Sequence, residues 1–124
     1  MKYACLVYYD EKAVESMSGR EWDALVGECL AYGESVRNSG HFLGGEALRP
    51  TTTATTLRMR DGRPFATDGP FAETKEQLAG FYLIEARDLN EAIQVASRIP
   101  PARLGSIEVR PVRELPSNPS TARS

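Results

Sequence analysis

The sequence predicts an α+β fold in which two helices cover one face of an antiparallel sheet. Two stretches repeat apolar residues at steps of three and four, which is the spacing of an amphipathic helix. Short runs of wholly apolar or alternating residues lie before, between and after them, which is typical of strands. The resulting order is strand, helix, two or three strands with a hairpin, strand, helix, strand. This is the order of a ferredoxin-like βαββαβ fold with an extra hairpin.

The chain has the size and composition of one domain with one hydrophobic core. Its 124 residues are 41% hydrophobic, and 15 Lys+Arg against 17 Asp+Glu give a formal net charge of -2. No nucleic-acid partner is expected, because the positive surface that binds a phosphate backbone is missing. No membrane partner is expected, since no apolar run approaches the roughly 20 residues of a membrane span. The domain is predicted at residues 1–115, with a disordered Pro/Ser-rich tail at residues 116–124.

The first strand is predicted at residues 3–8, which are apolar at every position, so both of its faces are expected to be buried. It contains Cys5, while Cys29 falls on the inner side of the first helix. Both cysteines lie in apolar patterns and not in a framework of loops, which favours two reduced core thiols over a disulfide. Together with the lack of a recognisable export signal, this predicts a cytoplasmic protein.

The first helix is defined by signals at both ends. Residues 10–16 form a polar spacer, and Ser18 and Glu21 then have the spacing of a capping box, which marks a helix start. About five turns of apolar stripe follow, at 3.6 residues each, and Gly40 is expected to end the helix in a left-handed conformation. The stripe consists of Trp22, Leu25, Val26, Cys29, Tyr32, Gly33 and Val36. Residues 41–48 then predict a second strand, loosened by two adjacent glycines.

A hairpin is predicted next. Residues 55–60 alternate in polarity, which places Leu57 and Met59 inward and the intervening polar residues outward. Asp61-Gly62 is a typical hairpin turn, because glycine tolerates the positive backbone angle that a tight turn requires. Residues 63–67 can return as a short antiparallel strand.

The remaining elements complete the βαββαβ order. Residues 78–85 predict a strand that is apolar on both faces, and residues 107–112 predict a closing strand that alternates. Between them a second helix is predicted at residues 88–99, ended by Pro100-Pro101. The apolar stripe of this helix consists of Leu89, Ala92, Ile93, Ala96 and Ile99.

The polarity of the strands also predicts an assembly. Two helices can cover only one face of the sheet, yet residues 3–8 and 78–85 are apolar on both faces. Uncovered, the second face would be a large apolar patch for a monomer. A second copy stacked on it would bury it, and a two-fold homodimer is the simplest such arrangement. A pocket is then expected between the open sheet face and the region of the third and fourth strands.

Two residues are candidate catalytic groups. His41, the only histidine, opens a strand and has no Cys, Asp or Glu neighbours at metal-ligand spacing. A structural place is therefore the stronger interpretation for His41, and no metal or cofactor is expected. Asp68 stands in the Gly/Pro turn after the hairpin, within a run of ionisable residues. Its carboxylate can accept hydrogen bonds from its own turn or act in a site, and the sequence leaves both open.

Several segments together resemble a known family. They are the strand after Met1, Leu43–Leu48, Asp68–Glu76, Gly80–Tyr82 and Gly105–Val112. With them the chain resembles the DGPF branch of the YCII-related domain family over residues 1–115. The resemblance implies a dimeric ferredoxin-like α/β barrel in a bacterial cytosolic protein, and an association with extracytoplasmic-function sigma factors.

The resemblance also bears on the site. The wider family is associated with a His/Asp pair whose histidine lies near the start of the first helix, and here the segment Ser18–Trp22 contains no histidine. This departure argues against acid–base catalysis of that type. What carries over is the turn Asp68–Phe71 together with its polar neighbours Glu73, Lys75 and Glu76.

Two functional hypotheses result. In the first, a homodimer binds a small molecule beside Asp68 and performs lyase-like acid–base chemistry, with Asp68 as the base and Lys75 or Arg110 holding an anionic group. The candidate ligand-binding residues are Phe71, Glu73, Lys75, Glu76 and Arg110. In the second, the protein is a non-catalytic regulatory or binding module that acts with a sigma factor, which fits the missing helix histidine.

Overall fold

The computed structural model describes residues 1–116, in which the elements follow the predicted order. The strands are β1 (Lys2–Tyr9), β2 (Phe42–Ala47), β3 (Thr55–Arg60), β4 (Arg63–Asp68), β5 (Gln77–Glu85) and β6 (Gly105–Pro111). The α-helices are α1 (Glu11–Glu15), α2 (Gly19–Asn38) and α3 (Leu89–Ala96). Short 3-10 helices stand at Thr51–Thr53 and Pro100–Leu104. Of the tail predicted at residues 116–124, all but Pro116 lies outside the described residues.

Four strands form the main sheet in the order β2-β5-β1-β6, and every neighbouring pair is antiparallel. The two strands predicted to be apolar on both faces, β1 and β5, take the central positions. The strands β3 and β4 form a separate two-stranded sheet, which is the extra hairpin. The prediction of a ferredoxin-like α+β fold with an extra hairpin is confirmed.

The core lies between one face of the main sheet and the helices α2 and α3. On β1 this face carries Tyr3, Cys5 and Val7, which are at most 4% exposed. The residues packed with them are Tyr32, Val36, Ile84, Ala86, Ala92, Val95, Ala96 and Ile99. Within the core the Tyr32 hydroxyl donates to the carbonyl of Val95 at 2.8 Å, so this buried polar group is satisfied. Both cysteines are free thiols, and Cys5 lies in the core as predicted. The prediction of a core position for Cys29 is wrong, because this residue is only half-buried.

Capping signals set the start of both α1 and α2. The Ser18 hydroxyl accepts from the Glu21 amide at 3.1 Å, and the Glu21 carboxylate accepts from the Ser18 amide at 3.2 Å, which confirms the capping box. Gly40 ends α2 with a φ of 81°. The polar spacer predicted at residues 10–16 is wrong, because Asp10 caps α1 by accepting from the Lys12 amide at 3.0 Å. An apolar pattern cannot reveal so short a helix.

The hairpin has the predicted turn but not the predicted inner face. Asp61 and Gly62 both have positive φ angles, 50° and 74°, as a tight hairpin turn requires. The inward placement of Leu57 and Met59 is wrong, because their side chains are 62% and 63% exposed. The reason is that β3 and β4 pair only with each other, so neither face of the hairpin lies on the core of this chain.

The stripe of α3 also differs from the prediction. Leu89 and Ile93 are each 48% exposed, whereas Val95 is buried. The buried side of α3 is formed by Ala92, Val95 and Ala96, and Ile99 is buried just after the helix ends. The small side chains of Ala92 and Ala96 belong to the core, while the larger Leu89 and Ile93 lie outside it.

The second side of the main sheet carries the apolar residues of β1 and β5 that point away from the helices; we call it the open face. In the strand register, Leu6 and Phe81 form the centre of one row, flanked by Glu46 on β2 and Glu108 on β6. Phe81 is 37% exposed and Leu6 is only partly buried. The described part of the chain therefore leaves this face uncovered.

Candidate functional site

An apolar groove runs along α2 on the helix-covered side of the main sheet. A cavity of about 340 Å³ lies between α2 and the strands β2 and β5. A second cavity of about 540 Å³ lies beside it, around α1 and the start of α2. Because Tyr9, Trp22 and Ala79 line both, the two form one depression, which we call the α2 groove. Its size is in the range of small-molecule sites, about 300–1,000 Å³.

One wall of the α2 groove is a strip of apolar side chains on α2. Trp22, Val26 and Leu30 follow one another at steps of four and therefore lie on one side of the helix. They line the 340 Å³ cavity and remain 43%, 38% and 70% exposed. The neighbouring side of α2, which holds Leu25, Tyr32, Gly33 and Val36, is buried. The apolar surface of α2 is thus wider than the part of the helix that packs on the sheet, and the strip with Trp22, Val26 and Leu30 stays uncovered.

The floor of the α2 groove is formed by positions without bulky side chains. A Cβ on Gly45 would lie 2.7 Å from the Phe81 carbonyl, and one on Gly80 would lie 2.8 Å from the Glu46 carbonyl. Real Cβ atoms do not approach backbone oxygens so closely, so the local geometry requires glycine at both positions. Bare backbone is therefore exposed toward the groove, next to Ala79.

Two guanidinium groups line the α2 groove: that of Arg49 lines the 540 Å³ cavity, and that of Arg37 lines the 340 Å³ cavity at the far end of α2. The Arg37 guanidinium carbon lies 4.6 Å from the centroid of the Phe42 ring, in a cation–π contact. Within residues 1–116, no carboxylate oxygen lies within 4.0 Å of its nitrogens. This group can therefore form a bidentate pair with an anionic ligand.

The other polar residues that line the 340 Å³ cavity are two tyrosines, a cysteine and Glu46, whose side chain the strand register places on the open face. Burial raises the pKa of Tyr82 and of Tyr9, and the charge of Glu11 adds to the effect on Tyr9. Burial and the Glu28 carboxylate raise the pKa of Cys29, opposed by Arg103. All three groups are neutral near pH 7. Cys29 therefore lacks the thiolate character of a catalytic nucleophile.

Glu11 fixes the other end of the α2 groove. Its carboxylate accepts from the Thr51 amide at 2.8 Å and from the Thr51 hydroxyl at 2.7 Å. The Glu11 amide donates to the Gln77 side chain at 2.9 Å. These three bonds tie α1 to the segment before the hairpin and to the start of β5, so Glu11 holds together the elements around the 540 Å³ cavity.

The turn at Asp68 is closed without its carboxylate. The Gly69 amide donates to the Ala54 carbonyl at 2.7 Å, and the Thr56 hydroxyl donates to the Gly69 carbonyl at 2.7 Å. Gly69 has a φ of 98°, a conformation that favours glycine. Asp68 ends β4 as an exposed residue, and it lines neither cavity of the α2 groove. Its role as a base stays a prediction.

Comparison with known proteins places the chain in a family. The model of the YCII-related domain matches residues 1–116. The chain belongs to the YCII-related family. The uncharacterized protein R00369 of Rhizobium meliloti (strain 1021) is 41% identical to this YCII-related protein over an alignment of 124 residues. The alignment covers 94% of this chain and 100% of that relative. The family prediction is confirmed, and the DGPF branch stays a prediction.

His41 has structural contacts in this YCII-related protein. Its Nδ1 atom lies 2.9 Å from the Glu85 carbonyl and 3.9 Å from a carboxylate oxygen of Glu91. These contacts hold the start of β2 to the end of β5 and to α3. The hairpin follows the opposite end of β2, so His41 and Asp68 are not brought together. His41 lines neither cavity of the α2 groove.

The predicted ligand-binding residues are spread over two regions. Phe71 is 80% exposed, and Glu73 and Lys75 are exposed beside it. Glu76 is held at the end of this segment, where its carboxylate accepts from the Ser106 hydroxyl at 2.8 Å. Arg110 stands on the open face, with its Nε atom 3.6 Å from the Glu108 carboxylate. Whether these residues bind a ligand stays a prediction.

The residues of the α2 groove are the ones that sequence reasoning missed. Trp22 and Val26 were expected in the core stripe, and Arg37 was not singled out. A usable signal exists: Leu30 extends the apolar surface of α2 to a second strip, and adjacent glycines interrupt β2 opposite it. Within residues 1–116, no group of three or more His, Cys, Asp and Glu side chains is placed to hold a metal ion. No helix in this part of the chain is long and apolar enough to cross a membrane.

Proposed function

We propose that this YCII-related protein is a cytoplasmic homodimer that binds a small, largely apolar molecule with one anionic group in the α2 groove. The observation that carries the proposal is the combination, in the 340 Å³ cavity, of an uncovered apolar wall with the Arg37 guanidinium, which has no carboxylate partner among residues 1–116. The two free cysteines fit a reducing compartment.

The apolar wall supplies most of the binding free energy in this proposal. Fully burying a large apolar side chain stabilises by about 1.5–3 kcal/mol. Trp22, Val26 and Leu30 are already partly buried, so covering what remains exposed contributes about 2–4 kcal/mol in total. Arg37 then orients the ligand, since a guanidinium holds a carboxylate through two parallel hydrogen bonds.

The proposed homodimer follows from the open face. Its central residues, including Leu6 and Phe81, are apolar and uncovered in a single chain. Two copies stacked by a two-fold axis bury this surface on both, and such an interface is self-complementary. The expected measurement is a mass of twice 13.7 kDa by light scattering at micromolar concentration. A monomer under these conditions contradicts the proposed assembly.

Turnover is a separate part of the proposal. Apart from Arg37 and Glu46, the titratable residues that line the 340 Å³ cavity are neutral phenols and a neutral thiol, and His41 is not among the lining residues. This favours binding without turnover, as in a regulatory module that acts with a sigma factor. Lyase-like chemistry requires Asp68 with Lys75 or Arg110, whose side chains are exposed. Replacing Asp68 by Asn distinguishes the binding module from the lyase-like enzyme. If the protein is an enzyme, the substitution abolishes turnover, and in either case binding in the α2 groove is retained.

The test of the groove uses ligands that differ only in charge. Aromatic and straight-chain carboxylates of six to twelve carbons are compared with their primary amides by thermal shift and calorimetry. In Arg37→Gln, carboxylate affinity is expected to fall by about tenfold or more, because a hydrogen bond to a charged group contributes about 1.5–3 kcal/mol. Amide affinity is expected to change little.

The matched control for this test is Arg113→Gln, which removes an exposed arginine outside both the α2 groove and the hairpin. It is expected to bind both ligand series like the wild type. If Arg37→Gln keeps its preference for carboxylates over amides, the assignment of Arg37 is wrong. If the wild type binds neither series, the proposed binding function is wrong.

A further inference from the structure

The hairpin of β3 and β4 has two chemically different faces. By register, Leu57 pairs with Ala66 and Met59 with Pro64, so these four side chains share one face, which we call the apolar hairpin face. Asp68 pairs with Thr55, two residues from Leu57, and therefore belongs to the same face. The opposite face carries Arg58, Arg60, Arg63, Phe65, Thr56 and Thr67.

Nothing in the described chain covers the apolar hairpin face. Leu57 and Met59 are 62% and 63% exposed, and both strands of the hairpin form hydrogen-bonded ladders only with each other. A lone two-stranded hairpin is only marginally stable in water, because it lacks a hydrophobic face packed on something else. A stably formed hairpin of this kind therefore needs another surface.

The charges of the hairpin indicate what that surface carries. Arg60 and Arg63 stand directly opposite each other, and like charges in this position are destabilising. Within residues 1–116, no carboxylate oxygen lies within 4.0 Å of Arg58, Arg60 or Arg63. These arginines lie on the face opposite to Leu57 and Met59, so the missing surface is expected to be apolar beneath those two residues and to carry a carboxylate only at its edge, within reach of a long arginine side chain.

The open face has this composition. Its row across the main sheet is Glu46, Phe81, Leu6 and Glu108, with apolar side chains at the centre and a carboxylate on each flank. In the described residues Glu46 has no basic side chain within 4.0 Å. The arginine side chains on the opposite face of the hairpin are long enough to reach around its edge, so that their guanidinium groups can contact a carboxylate while their apolar stems stay packed on the hairpin. The open face therefore complements the hairpin in polarity and, on its Glu46 flank, in charge, whereas Glu108 on the other flank already pairs with Arg110.

We infer that the β3–β4 hairpin is an arm that packs its apolar hairpin face on the open face of a second copy, so that Asp68 lies in a site built by two chains. The inference rests on the proposed homodimer. A two-fold arrangement lets each copy cover the other, and no further partner is needed. Phe71, 80% exposed just beyond Asp68, extends the arm with an aromatic side chain of the kind that dominates interface energetics. An active site that depends on Asp68 is incomplete in one chain.

Substitutions on the two faces of the hairpin test the arm. Leu57→Asp places a charge on the apolar hairpin face, and Thr67→Asp places the same charge on the opposite face of the same hairpin. Phe81→Asp places a negative charge at the centre of the open face. Sedimentation is expected to show a dimer Kd raised by at least about 100-fold for the first and third variants, and by less than about 10-fold for Thr67→Asp.

The outcomes separate the arm from the dimer itself. If the wild-type protein is a monomer, both the homodimer and the arm are wrong. A dimer weakened by Phe81→Asp but not by Leu57→Asp retains the homodimer and overturns the arm. Circular dichroism of each variant shows whether the domain has folded. Amide exchange of the wild type gives a second readout: protection of β3 and β4 is expected to fall on dilution below the dimer Kd, and unchanged protection overturns the arm.

Labelling tests the position of Asp68. Asp68→Cys and Thr67→Cys introduce thiols on opposite faces of the hairpin, and each is compared with the wild type, whose free cysteines are Cys5 and Cys29. The thiol at position 68 is expected to react at least about fivefold more slowly in the dimer than after dilution, and the thiol at position 67 equally fast in both. Equal rates for position 68 overturn its placement in a shared site.

Discussion

Replacing Glu11 by alanine should destabilise the whole fold, although Glu11 belongs to a helix of only five residues. The Glu11 carboxylate accepts two hydrogen bonds, from the Thr51 amide at 2.8 Å and from the Thr51 hydroxyl at 2.7 Å. Hydrogen bonds to a charged group contribute about 1.5–3 kcal/mol each. Because this pair is only part-buried, the lower bound applies, and Glu11→Ala is expected to lower the free energy of unfolding by about 3 kcal/mol.

The assay is urea unfolding together with a thermal melt. For a chain of this length about 3 kcal/mol corresponds to a fall in Tm of roughly 10 °C. Glu15→Ala is the matched control, because it removes a carboxylate from the same helix without touching Thr51, and it should change stability by less than about 0.5 kcal/mol. Thr51→Val removes only the hydroxyl and should fall between the two. Equal stability of Glu11→Ala and Glu15→Ala would refute the reasoning.

Two further predictions concern the floor of the α2 groove and the core. Gly45→Ala should destabilise the fold by about 1–3 kcal/mol, since its Cβ would meet the Phe81 carbonyl at 2.7 Å, whereas Gly44→Ala, with open space around it, should cost under about 1 kcal/mol in the same urea assay. Burial raises the pKa of Cys5 from 9.0 to about 11, so the folded state holds this proton more tightly than the unfolded chain. Its stabilising contribution is complete below pH 9 and is lost above it, by about 1.4 kcal/mol per pH unit up to pH 11. A pH series of urea melts should therefore fall less steeply for Cys5→Ala than for the wild type, and identical slopes would contradict this assignment.

The order of the elements and their ends could be predicted because local chemistry determines them. The Ser18–Glu21 capping box and the Asp61-Gly62 turn each act within a few residues, so their geometry follows from residue type. The central places of β1 and β5 could be predicted for a different reason. Strands that are apolar at nearly every position are expected at the centre of a sheet, although within residues 1–116 only the helix-covered face of β1 and β5 is buried.

The predictions that were wrong concern which face of a strand or helix packs on another part of the chain. Alternation in β3 correctly separates Leu57 from Arg58, but a period of two cannot say whether either face is covered within the chain. In α3 the spacing allows a stripe with Leu89 and Ile93 or one with Val95, and close packing of the small residues Ala92 and Ala96 decides between them. Such choices depend on contacts between distant segments.

The depth of the α2 groove could not be predicted for a related reason, although Leu30 and the adjacent glycines of β2 indicate its position. Its depth depends on the distance between α2 and β5, which no periodicity reports. The conformations that require glycine at positions 45 and 80 are visible only once the strands are paired. Asp68 shows the reverse case. Its turn could be recognised in the sequence, but the hydrogen bonds that close it come from Ala54 and Thr56, which the turn motif does not contain.

Trp22 gives the α2 groove an optical signal of its own. It is the only tryptophan in the chain, it lines both cavities, and 43% of its side chain is accessible. The intrinsic fluorescence of the unmodified protein therefore reports from one position, with no second indole to subtract. A ligand that enters beside Val26 would shield the ring from water and shift its emission to shorter wavelength, whereas a molecule bound only at the hairpin would leave the spectrum unchanged. A single cuvette titration can thus tell which of the two surfaces a compound occupies.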